Sequence, residues 1–177
     1  MTKFVAFLRA INVGGHTVKM DALRRLFESL GFANVETFIA SGNVLFETRS
    51  GNAAALEKKI ESKLKEWLGY DVATFLRTDA EVKRIVNYKS FPPAQLDSAT
   101  AFNVAFLKEP PDSASKQKVA ALKTDIDDFH VHGRELYWLC KKKQSESTFS
   151  NAVLEKTLRK PSTIRGMETV RKIAAKY

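Results

Sequence analysis

Two stretches near the N-terminus carry more chemistry than a turn requires: R-A-I-N-V-G-G-H-T-V-K from Arg9 to Lys19, and S-G-N from Ser41 to Asn43. Gly14 and Gly15 permit positive φ and a close backbone approach, which exposes amide N–H groups ahead of a helix start. Arg9 and Lys19 bring permanent positive charge. Asn12, Ser41 and Asn43 bring short donors and acceptors, Gly42 a turn position, and His16 a group that exchanges protons near neutrality. Together with the dipole of a following helix, this set suits an anionic ligand.

The same residues have a plainer reading. Gly-Gly is then a tight turn, S-G-N a hairpin corner, Asn43 a cap for backbone groups, and Arg9 the partner of an acid. Neither G-x-x-x-x-G-K-[ST] nor G-x-G-x-x-G occurs, so no standard nucleotide loop is present. Ser41 lacks the G-x-S-x-G setting of a nucleophile elbow, and no partner carboxylate is evident for His16. An enzyme of unknown reaction built on Arg9, Asn12, His16, Ser41 and Asn43 is therefore the alternative to a binding module. A structural or interaction protein is the third reading.

The elements that must position these residues follow from the apolar periodicity. Lys3 to Val13 is β-prone and apolar on both alternating faces, as a strand covered on both sides should be. Leu23, Leu26, Phe27 and Leu30 have helical spacing from Met20, and Gly31 closes that helix. Val35 to Ala40 and Val44 to Thr48 are short strands around S-G-N, a hairpin signal. Asn52 opens a helix with Leu56, Ile60, Leu64 and Trp67 on one side, stopped at Gly69. Asp71 to Arg77 is a further strand. The order β-α-β-β-α-β is the split βαβ, or ferredoxin-like, arrangement, with antiparallel strand order 4-1-3-2. In that arrangement the loop after the first strand and the hairpin between the second and third strands share one sheet end, which is why Arg9, Asn12, Gly14, Gly15, Ser41, Gly42 and Asn43 should converge.

A second cycle begins after a helix at Asp79 to Tyr88 and a linker, F-P-P-A-Q-L-D-S-A-T. Val104-Ala105-Phe106-Leu107 repeats Val5-Ala6-Phe7-Leu8, and Ala121-Leu122 falls at the same offset as Ala22-Leu23 in the next expected helix. Strands flank Gly133, the second from Leu136 to Cys140, and helices near Ser150 to Leu158 and Met167 to Lys176 complete the pattern. The second half thus ends in a helix where the first has a strand. The fold expected is α+β: two ferredoxin-like subdomains from an internal duplication, residues 1–92 and 93–177, with extra C-terminal helices.

Composition sets the outer limits. The 177 residues are 44% hydrophobic, enough for a packed core, and carry a formal charge of +9 that favours polyanionic partners such as nucleic acid. Much of the lysine lies in L-E-K-K-I-E-S-K-L-K-E-W among glutamates, a solvated face rather than a basic stripe. No apolar run approaches the ~20 residues of a membrane span. The N-terminal apolar run is too short for a secretory signal, and the single cysteine, Cys140, forms no intrachain disulfide or cysteine-built metal site. A cytoplasmic protein with no cofactor and no membrane contact is expected, its partner an anionic small molecule or nucleic acid.

Other candidates are weaker. His130 and His132 alternate onto one strand face but have no third ligand, so no metal is assigned. Lys141 to Lys143 could lower the Cys140 pKa and lead into S-T-F-S-N, where Ser150 or Thr148 can cap a helix. Sheet-face stacking of RNA bases is disfavoured, because Asn43 to Thr48 lacks the K/R-G-F/Y-G/A-F-V-x-F/Y pattern.

F-L-R-A-I-N-V-G-G, followed by L-R-R-L-F-E-S-L-G-F-A-N-V-E-T-F-I-A-S-G-N-V-L-F, resembles the bacterial family DUF1697, a domain of unknown function. S-T-F-S-N-A-V-L-E-K and T-I-R-G-M-E-T-V-R-K-I extend the likeness to the C-terminus. The resemblance implies two ferredoxin-like subdomains and supplies no activity, substrate or catalytic residue. Members commonly read R-G-I-N-V-G-G where this chain has Arg9-Ala10, and T-R-N-W where it has Thr163-Ile164-Arg165-Gly166-Met167. Arg165 in that last block joins the candidate ligand-binding residues.

Overall fold

The central strand of the first half, T-K-F-V-A-F-L, is apolar at nearly every position, and its two faces are indeed both buried. The computed structural model describes residues 1–11, 17–39 and 42–177. The chain divides into two units, Met1–Lys83 with Tyr177, and Arg84–Lys176.

The first unit runs β1 (Thr2–Leu8), α1 (Met20–Ser29), β2 (Ala33–Thr37), β3 (Asn43–Thr48), α2 (Ala53–Leu68) and β4 (Thr74–Thr78). Its antiparallel sheet has the order β2-β3-β1-β4, the expected split βαβ topology. Phe4, Ala6 and Leu8 on one face of β1 pack with Phe46 and Leu76 against Leu23 and Phe27 of α1 and Ile60 and Leu64 of α2. Each of the Leu, Ile and Phe side chains contributes about 1.5–3 kcal/mol on burial. Phe46 stacks on Phe4 and Phe32 at ring separations of 5.7 and 4.3 Å. The side chains of Val5, Phe7, Leu45 and Phe75, on the other face, are buried as well.

Local signals set the helix ends. Asn52 caps α2 by accepting from Ala55 N–H at 3.1 Å, and Gly69 ends it in a left-handed conformation. Thr78 and Glu81 cap each other's backbone N–H at 3.2 and 2.7 Å to open α3 (Asp79–Asn87), which crosses the division between the units. Tyr177 belongs to the first unit because its hydroxyl donates to the Phe4 carbonyl at 3.0 Å.

After α3 the second unit contains α4 (Pro93–Asp97), β5 (Ala101–Phe106), α5 (Ser113–Ala120), β6 (Asp127–His132), β7 (Glu135–Cys140), α6 (Asn151–Leu158), β8 (Thr163–Gly166) and α7 (Met167–Ala174). Its sheet order, β6-β7-β5-β8, matches the first. Register makes the duplication explicit. Val5 lies opposite Leu45 and Arg77, and Val104 lies opposite Tyr137 and Arg165. The repeated V-A-F-L tetrads therefore occupy equivalent places in two sheets.

Five expectations are corrected. The second half does not lack a fourth strand: β8 supplies it, only four residues long, with a buried arginine and a glycine in place of an apolar run. The linker expected after α3 holds the short helix α4, which starts at a proline, a residue suited to a first helical turn. Strand β2 begins earlier than expected, with Asn34 at φ 50° and an irregular register between Ala33 and Glu36. Ala121-Leu122 follows α5 rather than lying inside it, since α5 begins nearer its strand than α1 does. Trp67, placed by spacing on the apolar side of α2, is 42% exposed.

Candidate functional site

The end of β1 is tied to both neighbouring strands. Leu8 N–H donates to the Gly42 carbonyl and Arg9 N–H to the Ala73 carbonyl, each at 2.9 Å. Ala10 then turns into the left-handed region at φ 53°, and Ile11 folds back into the core at 1% exposure. On the return, Val18 is buried in the same core and Lys19 forms the exposed N-cap of α1.

The hairpin meets this loop at Gly42. Its φ is +86°, and a Cβ placed there would overlap Ile11 Cγ2 and lie 3.2 Å from Leu8 Cβ. Only glycine satisfies both the backbone conformation and the close approach. Asn43 closes the hairpin: its side-chain N–H donates to the Phe38 carbonyl at 2.8 Å, and its own carbonyl accepts from Phe38 N–H at 2.9 Å. Ile39, between these, is half exposed with φ 62°. That conformation is costly for a β-branched residue and tends to mark functional or over-determined turns.

Arg9, Gly42 and Asn43 thus gather at one end of the first sheet, with Lys19 leaving the same loop to start α1. Asn43 acts there as backbone clamp, the plainer of its two sequence readings. Asn12, Gly14, Gly15, His16 and Ser41 lie outside the described residues. Arg165 lies in the second unit, buried on β8, where its Nη1 donates to Thr163 Oγ1 at 2.7 Å and to the Ile164 carbonyl at 3.0 Å. Burial brings its pKa down to about 10. Its register equivalent Arg77, which the sequence did not single out, is 1% exposed and donates in the same way to the Leu76 carbonyl at 2.9 Å. The signal was available: both arginines follow an aliphatic residue on the strand that closes each repeat.

The remaining candidates resolve individually. His130 shares a 2.6 Å hydrogen bond with the Tyr88 hydroxyl, and Tyr88 stacks on His132 at 3.9 Å, so both rings have aromatic partners. Among the described residues, no three His, Cys, Asp or Glu side chains gather as a metal site would need. Burial raises the Cys140 pKa, which overturns the expectation that Lys141 to Lys143 lower it. Ser150 does cap α6, accepting from Val153 N–H at 3.3 Å.

What sequence reasoning missed beside this segment is Asp127. Its buried carboxylate accepts from Trp138 Nε1–H at 2.8 Å, from Thr124 Oγ1–H at 2.8 Å, and from Ser147 Oγ–H. Burial alone would raise its pKa, but these donors reverse the effect and hold the carboxyl below the usual range. The loop after β7 is fixed by this anchor.

A family model described as "Protein of unknown function (DUF1697)" matches residues 1–137. The chain belongs to the DUF1697 family. The match spans all of the first unit and the second as far as β7, and ends before α6, β8 and α7. The DUF1697 chain is also similar in structure to the conserved bacterial protein SP0830 from Streptococcus pneumoniae. The TM-score is 0.79 at 23% identity, over 98% of this chain and 97% of that one. This likeness shows the fold, and it extends through the C-terminal elements. No protein of curated function matches the chain. Among the described residues, no helix is long and apolar enough to cross a membrane.

Proposed function

We propose that this DUF1697 protein is a binding module for an anionic ligand, a nucleotide or a nucleic-acid phosphate, held at the β1 end of the first unit. The observation that carries the reading is the meeting of Ile11 with Gly42. It joins the two segments whose residue types suit an anion, Ile11 and Gly42 being thirty-one positions apart in sequence. Three further features support it. Ala10 and Ile39 hold positive φ on either side of the junction, strained backbone of a kind that functional loops often carry, and Gly42 holds it without strain. Arg9 and Lys19 flank the loop with positive charge. The loop is also specific to the first unit: residues 9–19 connect β1 to α1, whereas residues 107–112 suffice between β5 and α5. Duplication alone would not leave that extra length, so it points to a use. A cytoplasmic setting, where such ligands abound, goes with this reading.

The test is thermal shift of wild type and Arg9→Ala with nucleotides, phosphosugars and short oligonucleotides at low and moderate salt. Stabilisation by one small molecule that resists salt and disappears in Arg9→Ala is expected. Stabilisation by every polyanion, lost with salt, would reduce the reading to surface charge. A large melting-temperature loss in Arg9→Ala with unchanged binding would make Arg9 structural.

A further inference from the structure

The shorter loop of the second unit bounds a cavity of 620 Å³, within the range of about 300–1,000 Å³ usual for small-molecule sites. Its floor is apolar, formed by Leu107 at 5% exposure and by Leu158 at the end of α6. Pro110, Pro111 and Pro161 stand around it, and fixed φ makes such walls rigid before any ligand arrives. The polar part of the lining is mixed in sign. Lys160 forms an ion pair with Glu109 and also acts on Asp112, whose Oδ1 accepts from Ser115 N–H at 2.7 Å to cap α5. Lys108 adds a second cation.

Two lysines, Lys108 and Lys160, and two acids, Glu109 and Asp112, thus line the cavity beside Leu107 and Leu158, with Lys160 already paired to Glu109. A simple anion or cation would meet as much repulsion as attraction there. A molecule carrying both signs next to an aliphatic group would find a counterpart for each part. We propose that this cavity binds a free α-amino acid with an aliphatic side chain, its carboxylate toward Lys108 and Lys160, its ammonium toward Glu109 and Asp112, its side chain on Leu107 and Leu158. The site is separate from the anion site of the first unit, and neither proposal depends on the other.

The test is an amide NMR titration of the isotope-labelled full chain with L-leucine, N-acetyl-L-leucine and L-leucine amide. Leucine should give saturable shifts centred on Leu107 to Ser115 and Leu158 to Lys160, and both capped forms should give none. Asp112→Asn keeps a side chain able to cap α5 but removes the charge. It should weaken leucine binding about tenfold or more, the usual effect of losing one charged hydrogen bond, with little change in melting temperature. Lys108→Met makes the same test from the carboxylate side. Absence of saturable leucine shifts would overturn the proposal. So would equal binding of N-acetyl-leucine, or leucine affinity unchanged in both variants.

Discussion

Gly42→Ala is the substitution for which the structure states the cost most directly. The new methyl would sit at φ +86°, overlap Ile11 Cγ2 and press on Leu8 Cβ at 3.2 Å. An L-residue in the left-handed region costs about 1–2 kcal/mol. Overpacking a tight core position costs about 1–3 kcal/mol more. The expected loss is therefore about 2–5 kcal/mol, or about 4–20 °C in melting temperature for a chain of this size. Urea denaturation read by tryptophan fluorescence measures it, and a second substitution separates the two costs. Ile11→Ala alone should lose about 2–5 kcal/mol, because Ile11 is a buried core side chain. In the Gly42→Ala background the shortened side chain leaves room for the new methyl. The double variant should then be less damaged than the sum of the singles by about 1–3 kcal/mol. Additivity within about 0.5 kcal/mol would refute the contact between hairpin and loop, and with it the reasoning that the two segments meet.

Two further outcomes concern the second unit. Asp127→Ala would strand the buried Trp138 N–H and should cost about 1–3 kcal/mol in urea denaturation. Because the folded Asp127 pKa lies below its ordinary 3.8, the carboxylate's contribution is complete above that value and fades as pH falls through the folded pKa; Asp127→Asn should flatten that acid limb of a melting-temperature profile. Burial, with the charge of His132, holds the His130 pKa below 6.5 against the opposing pull of Asp128. Unfolded chains then bind the proton first, so stability should be constant above pH 6.5 and decline as pH falls toward the folded value, a decline that His130→Gln should reduce.

How much of this was legible depends on which signal each residue carries. The split βαβ order in the first unit follows from period alone, because long helices such as α2 and two-faced strands such as β1 leave clear apolar patterns. V-A-F-L gave away the duplication because the repeat falls on the central strand, whose surroundings are similar in both units. Strand β8 left no such pattern: with Arg165 inward and Gly166 at its end, only its pairing with β5 makes it a strand. Trp67 shows the opposite failure: it lies on helical period, yet its side chain is exposed while Leu64 and Leu68 beside it take the places against the core. For the candidate site, topology alone brought Arg9 and Asn43 to one sheet end. The hairpin signal anticipates the positive φ at Gly42, but the close approach of Ile11, thirty-one positions away, is contained in no local rule. Asp127 was invisible for a similar reason, since an acid in D-I-D-D looks solvated until Trp138 and Ser147 are folded onto it.

The bond from Tyr177 to Phe4 also has a consequence for the timing of synthesis. The first unit is complete only when a residue made after the whole second unit reaches β1. At about 5–20 residues per second, the segment from Arg84 to Lys176 takes roughly 5–20 s to emerge. Throughout that interval the nascent sheet stands without the phenol that donates to the Phe4 carbonyl. A ribosome stalled short of Tyr177 would present a first unit whose β1 is paired on both sides but lacks the bond from the Tyr177 hydroxyl.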